Sequence, residues 1–387
     1  MLSRIAGMNV VVCQSTTASP SWKAERSMNI PDTMADWPWQ RAFHPYTDEA
    51  TLESDKWFRS LAIFSPKSMH AHEQNFVGCL AGLAYPHGSP NDLRAGMDFM
   101  HVLFAIDEYA EIERPAAVAE FVQILLDAFH NPGKPRPSGE ITIGELTRQF
   151  WARAGRTATP QAGKYFLEAM KDFLDSLVSQ AEYRNNGTNP SIDDYIQLRK
   201  NTVGARPAYI IGHLCLSIPD EALYHPAIRE LEYLAAELLA LDNDLASYNR
   251  EQATGNDQHN IVTTVMRHLK LDLDAAVDWT ASYHKQVERR FLDTLERVPS
   301  FGPAVDADLK RYITQIANFP RANYCWIFES GRYFGSHGAE YQRTRRVPLL
   351  PKRVQQQGAI TSTADIDVPL IEDLERLAAI AAVEGED

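Results

Sequence analysis

The chain has 387 residues, with 38 Lys and Arg against 51 Asp and Glu, a formal net charge of −13 at pH 7, and 44% hydrophobic residues. That hydrophobic share is ordinary for a globular protein and excludes disorder over most of the length. The acidic balance argues against a nucleic-acid partner. No uncharged apolar run reaches the roughly 18 residues that a membrane span needs. An acidic chain that handles an anionic substrate has to reverse its charge locally.

Residues 1–24 carry Arg4 and Lys23, no acid, and a Ser/Thr-rich stretch through Ser15, Thr16, Thr17 and Ser19. The apolar part, Met8 to Cys13, is too short for a secretory core, so residues 1–27 read as a disordered extension. From residue 47 onward apolar residues recur at spacings of three and four, and β-branched alternation is scarce. The pattern predicts helices over 47–64, 67–83, 90–111, 113–130, 140–155, 160–186, 191–202, 207–216, 226–252, 259–268, 271–296 and 304–333. Turn signals such as Tyr85-Pro86-His87-Gly88 and Asn185-Asn186-Gly187 punctuate them. No internal repeat and no linker divides the chain, which implies one all-α domain over 28–352. After about residue 335 the periodicity lapses. An acidic tail follows over 353–387, with 369–387 forming a short exposed helix or none. Cys13, Cys79, Cys215 and Cys325 form no CxxC pair, as expected of free thiols in a reducing cytoplasm.

Two clusters carry chemistry. Asp107 and Glu111 lie four apart near the end of a predicted helix, on one face with Met100 and Phe104. Their repulsion would be relieved by a divalent cation such as Mg²⁺; alone, the pair is also what a helix end emerging into solvent carries. Asn243, Ser247 and Glu251 form a second stripe at i, i+4 and i+8, above Leu239, Ala236 and Ala235. Amide, hydroxyl and carboxylate oxygens make a hard, low-charge site suited to Mg²⁺ rather than zinc.

The Asn243-Asp244-x-x-Ser247-x-x-x-Glu251 pattern, with Arg250 before the Glu, resembles the second metal motif of class I terpene synthases. Asp107-Glu108-x-x-Glu111 resembles the first. Gly255 through Val262, Trp326-Ile327-Phe328-Glu329-Ser330-Gly331-Arg332-Tyr333, and His44-Pro45-Tyr46 through Ser65-Pro66-Lys67 look like basidiomycete sesquiterpene synthases. The resemblance covers roughly residues 28 to 352. It implies a single class I terpene synthase (isoprenoid synthase) helical bundle around a central active-site cavity. The implied reaction is Mg²⁺-dependent ionisation of farnesyl diphosphate, loss of diphosphate, and cyclisation of the cation to a sesquiterpene hydrocarbon or alcohol. Three Mg²⁺ ions are implied, with Mn²⁺ a possible substitute.

By the same resemblance Asp107 and Glu111 serve the first metal motif, and Asn243, Ser247 and Glu251 hold the remaining ion. Glu108 is expected to turn toward a basic residue. Arg199, Arg250, Arg332 and Tyr333 are matched to groups that bind diphosphate, with Thr202, Val203 and Gly204 a small segment facing the substrate. A carbocation needs apolar and aromatic walls, since ring faces stabilise cations by about 0.5–2 kcal/mol. Phe76, Met100, Phe104, Trp326 and Phe328 are the candidates; His101 and His259 read as structural. A monomer or homodimer is expected. A chain-elongating prenyltransferase would need a second aspartate-rich motif where this chain has Asn, Ser and Glu. A non-catalytic helical binding protein of the same fold would not require the intact stripe.

Overall fold

Proline opens six of the described helices at the first or second position, where its missing N–H costs nothing and its fixed φ suits the helix. Side-chain caps at Ser65, Ser89, Thr159, Ser191, Asn260 and Asp272 mark other starts or reinforce these. The computed structural model describes residues 26–188, 190–352 and 370–384. In chain order its elements are β1 (Ser27–Asn29), α1 (Thr47–Ser60), α2 (Pro66–Glu73), α3 (Val77–Ala84), α4 (Pro90–Ala110), α5 (Pro115–His130), α6 (Thr142–Ala154), α7 (Pro160–Asn186), α8 (Ile192–Thr202), α9 (Ala205–Ile211), α10 (Asp220–Leu223), α11 (Pro226–Thr254), α12 (Ile261–Leu269), α13 (Leu273–Leu295), α14 (Pro303–Glu329), α15 (Gly338–Thr344), β2 (Arg346–Pro348) and α16 (Ile371–Glu384). The fold is all-α, as the apolar periodicity predicts.

Helix α11 is buried along most of its length and packs against α13 and α14. With α4, α7, α8, α9 and α14 it surrounds a central cavity. The segment ahead of α1 is tied across α14: Trp37 Nε1 donates to Ala317 O at 2.9 Å, and Arg321 donates to the carbonyls of Trp39 and Met34. Strand β1 pairs antiparallel with β2, Met28 opposite Val347. Just beyond β2 the chain is fastened to the back of α11. Asn249 donates to Pro348 O at 2.9 Å and accepts from Leu350 N at 2.8 Å, and Gln252 Nε2 donates to Leu350 O at 2.7 Å.

Several expected boundaries move. The predicted helix 67–83 is two helices, because Phe76 takes a left-handed conformation (φ 46°) that breaks the ladder. The predicted helix ending at 333 stops at Glu329, where Ser330 turns extended. Gly331 N then donates to Gln74 O at 3.0 Å, and a Cβ at Gly331 would meet Gln74 Oε1 at 2.8 Å. This close approach swings Arg332 and Tyr333 off the helix axis. Residues past 335, read as aperiodic, form α15, and the short pair β1–β2 escaped the sequence pattern. In α16, Ile371 and Leu374 are buried with Ala253 and Leu350, so this helix is docked rather than fully exposed. The expectation of a disordered extension falls mostly on residues 1–25, outside the described residues; Ser27, its last residue, belongs to β1.

Candidate active site

Helix α4 starts from a capping box between Ser89 and Asp92. Midway, buried Asp98 accepts from Ser54 Oγ at 2.5 Å and Arg94 Nε at 2.8 Å, and pairs with Arg153. These ties fix the helix rotation. One face then presents Met100, Phe104, Asp107 and Glu111 in succession to the cavity. Glu108 points sideways, and its Oε1 accepts from Arg332 Nη1 at 3.1 Å.

Across the cavity, α11 presents Leu239, Asn243, Ser247, Arg250 and Glu251. Behind the stripe, Asp244 accepts from Arg199 Nε at 3.0 Å and Ile261 N at 2.9 Å, and from the Tyr195 hydroxyl. One buried carboxylate therefore joins α8, α11 and the start of α12. Arg199 Nη2 also donates to Asn243 Oδ1 at 2.8 Å, and Asn243 Nδ2 donates to the Tyr333 hydroxyl at 2.7 Å. Past Arg199 the chain breaks at Gly204 (φ 66°), and Val203 and Gly204 line the cavity. A side chain at Gly204 would be strained and would meet Leu103 at 3.3 Å.

Arg332 stands at the third corner. Its Nη1 donates to Asn75 Oδ1 at 2.9 Å as well as to Glu108, and its Nη2 lies 3.6 Å from Asp107 Oδ2. Its guanidinium sits 5.0 Å over the Phe104 ring, which packs 5.7 Å from Trp326. Trp326 Nε1 donates to Asn75 O at 2.5 Å, so Asn75 orients both the arginine and the indole. The cavity enclosed by these walls is about 320 Å³, within the roughly 300–1,000 Å³ of small-molecule sites.

Residues 98–290 match the family model described as terpene synthase family 2, C-terminal metal binding. "Sesquiterpene synthase 14" of Postia placenta is 50% identical over 342 residues, covering 87% of this chain and 97% of the relative. The chain belongs to the fungal sesquiterpene synthase family. A "Delta(6)-protoilludene synthase 18" of the same fungus is 46% identical over 339 residues, covering 86% and 97%. A Delta(6)-protoilludene synthase of Stereum hirsutum is 42% identical over 328 residues, covering 84% and 89%. Solved structures titled a-eudesmol synthase (TM-score 0.69, 20% identity, 76% of this chain and 99% of that one) and hedycaryol synthase in complex with HEPES (0.68, 19%, 77% and 98%) share the fold. The protein is thus a terpene synthase, with a site for divalent metal and an isoprenyl diphosphate substrate.

The electrostatics of the synthase fit a cation. Burial, then Glu111, pushes the Asp107 carboxyl up to about 7 against the pull of Arg332. Asp107 keeps 42% of its side chain exposed, and that face opens on the cavity. Burial, then Asp244, pushes Glu251 up to about 7 against Arg250. Glu111 also raises Glu251, so the two walls feel each other across the cavity. Burial likewise raises Glu108, with Arg332 opposing. Among the described residues no three His, Cys, Asp or Glu side chains converge on one point. The oxygens instead come from both walls, two carboxylates from α4 and one carboxylate, an amide and a hydroxyl from α11. These hard donors and under-compensated carboxylates suit a divalent ion taking oxygen ligands.

Two proposed wall residues are misplaced. Phe76 sits at the left-handed kink before α3, its side chain turned outward and the residue 45% exposed. Phe328 lies two residues past Trp326, roughly 200° around α14. Its ring stacks on Phe334 and lies under the Arg345 guanidinium, away from the cavity. Met100, Phe104 and Trp326 do line it, joined by Leu103, Phe173 and Phe319. His101 stacks against Phe58 and bonds His72 at 2.9 Å, a packing role. His259, read as structural, lines the cavity beside Tyr195, and burial with Arg199 holds its pKa well below the ordinary value. Asn75 was not found because its two contacts join it to residues more than 250 positions away.

Proposed function

We propose that this synthase ionises farnesyl diphosphate with Mg²⁺ and cyclises the resulting cation to a sesquiterpene. The observation that carries the reading is the polarity of the cavity along its two main helices. On α4 and α11 the apolar residues Met100, Phe104 and Leu239 lie one or two turns below the oxygen ligands Asp107, Glu111, Asn243, Ser247 and Glu251. A substrate with a charged head and a hydrocarbon tail matches that division.

Asp107 and Glu111 on one wall, and Asn243, Ser247 and Glu251 on the other, would hold Mg²⁺, three ions in the family pattern, with Mn²⁺ a substitute. Bound there, the metal would supply Lewis-acid stabilisation of the departing diphosphate charge. Arg199, Arg250, Arg332 and the Tyr333 hydroxyl direct N–H and O–H donors at the same head group, which stabilises charge as the allylic C–O bond breaks. The walls around Phe104, Phe173, Phe319 and Trp326 exclude water and offer ring faces to the cation.

Relatives at 46% identity are named Delta(6)-protoilludene synthases, so that hydrocarbon is the first product to look for. Among the described residues no helix is long and apolar enough to cross a membrane, and Cys79, Cys215 and Cys325 are free, in keeping with a cytoplasmic reaction. A monomer or homodimer is expected in solution. Comparing kcat/KM for geranyl, farnesyl and geranylgeranyl diphosphates at fixed Mg²⁺ tests the chain length. The highest value is expected for the farnesyl substrate; a higher value for either of the others would refute that assignment.

A further inference from the structure

The oxygen ligands on α11 lie on its last three turns, and the helix ends at Thr254 with Gly255 in the left-handed conformation. Helix ends fray, and a carboxylate on a last turn has several rotamers available. Glu251 needs an outside group to hold it. Asn260 supplies one.

Asn260 is fully buried and precedes α12. Its Nδ2 donates to Asp244 O at 2.8 Å and to Glu251 Oε2 at 3.0 Å, and lies 3.5 Å from Ser247 Oγ. Its Oδ1 accepts from Val262 N at 2.9 Å, capping α12. The orientation of the amide follows from these partners: reversed, its NH₂ would face an N–H and its oxygen would face a carboxylate. One face of the side chain is therefore committed to α12 and the other to the ligand stripe. Held through Oε2, Glu251 lines the cavity.

We propose that Asn260 is a positioning residue for metal binding, its amide fixing Glu251 in the orientation that receives a divalent ion. The inference rests on the metal role assigned to the stripe. Outer hydrogen-bond partners of this kind fix the geometry of ligands and raise their basicity. Asn260 touches neither ion nor substrate. Its effect passes through Glu251, and it links the start of α12 to the site.

The competing role is helix capping alone, and chemistry separates the two. Asp caps a helix as well as Asn does, and Ser nearly so. An aspartate in this place would have no N–H to give Glu251, and a serine hydroxyl is too short to reach it. The experiment compares wild type with Asn260→Asp and Asn260→Ser by thermal melting without ligand, and by calorimetric titration of Mg²⁺ into protein saturated with inorganic diphosphate. Both variants are expected to fold, with Mg²⁺ affinity reduced by about 10–100-fold. The Mg²⁺ half-saturation of diphosphate release from farnesyl diphosphate should rise in parallel. A folded variant with wild-type Mg²⁺ affinity would overturn the proposal, as would failure of both variants to fold: both side chains can cap α12, so the amide would then serve the fold rather than the ion. Absence of Mg²⁺ binding by the wild type would instead refute the metal role of the stripe itself.

Discussion

Arg199 holds the amide oxygen of Asn243: its Nη2 donates to Oδ1 at 2.8 Å while its Nε is committed to Asp244. The guanidinium proposed to grip diphosphate thus rests on the ligand proposed to grip Mg²⁺. The contact is bidentate across two adjacent residues of α11, which a lysine ammonium does not reproduce. Arg199→Ala leaves buried Asp244 with only the Tyr195 hydroxyl and Ile261 N. Breaking a buried ion pair from one side costs about 3–5 kcal/mol. Urea unfolding should show a loss near the lower end of that range for Arg199→Ala and a smaller one for Arg199→Lys. Both variants should release diphosphate more slowly than wild type.

The raised carboxyls at Asp107 and Glu251 give a pH dependence whose sign is definite. An acid whose folded pKa lies above its ordinary value of about 4 favours the folded state below that value. The contribution is lost as pH rises through about 7. Ion-free protein should therefore lose stability over that interval. Ion binding needs the carboxylates ionised and releases their protons, so it strengthens over the same interval. The gain in melting temperature on adding Mg²⁺ with diphosphate should grow between about pH 5 and about pH 7, and Glu251→Gln should flatten that growth. A gain larger at the acid end, or one unchanged in Glu251→Gln, would contradict the assignment.

Trp326 and Phe328 stand on opposite sides of α14 and should respond differently to the same substitution. Trp326→Leu opens the cavity wall beside Phe104 and should redistribute the hydrocarbon products seen by gas chromatography. Phe328→Leu should keep the product pattern and lower stability by about 1.5 kcal/mol or less, as a modest change of core volume.

Strand β1 places Met28 in the core, 1% exposed, opposite Val347. Full burial of such a side chain contributes about 1.5–3 kcal/mol. Deleting residues 1–29 should lower unfolding stability by at least that amount, whereas deleting residues 1–25 should leave stability and activity at the wild-type level.

Much of this site could be read along the sequence because it lies on two helices. A spacing of three and four places Asp107 with Glu111, and Asn243 with Ser247 and Glu251, before any tertiary contact is known. The wall was harder to read for the same geometric reason. From Tyr324 to Phe328 every position is apolar or aromatic, so only the rotation of α14 separates cavity-facing Trp326 from Phe328. Phe76 was misplaced because a left-handed residue leaves no mark in an apolar pattern. Asn75 and Asn260 act through single amides at turns between helices, where periodicity carries no signal. The termination of α14 at Glu329 depends on Gly331 meeting Gln74, a contact between distant parts of the chain.

Incubating purified protein with farnesyl diphosphate and Mg²⁺, with headspace gas chromatography and a diphosphate assay on the same sample, tests the central claim most directly. Equal amounts of diphosphate and a C15 hydrocarbon or alcohol should appear. Both should vanish with a chelator, and both should fall by about 10²–10³-fold in Asn243→Ala at unchanged circular dichroism. Product formation that survives the chelator, a longer prenyl diphosphate in place of a volatile product, or full activity in Asn243→Ala would contradict the account.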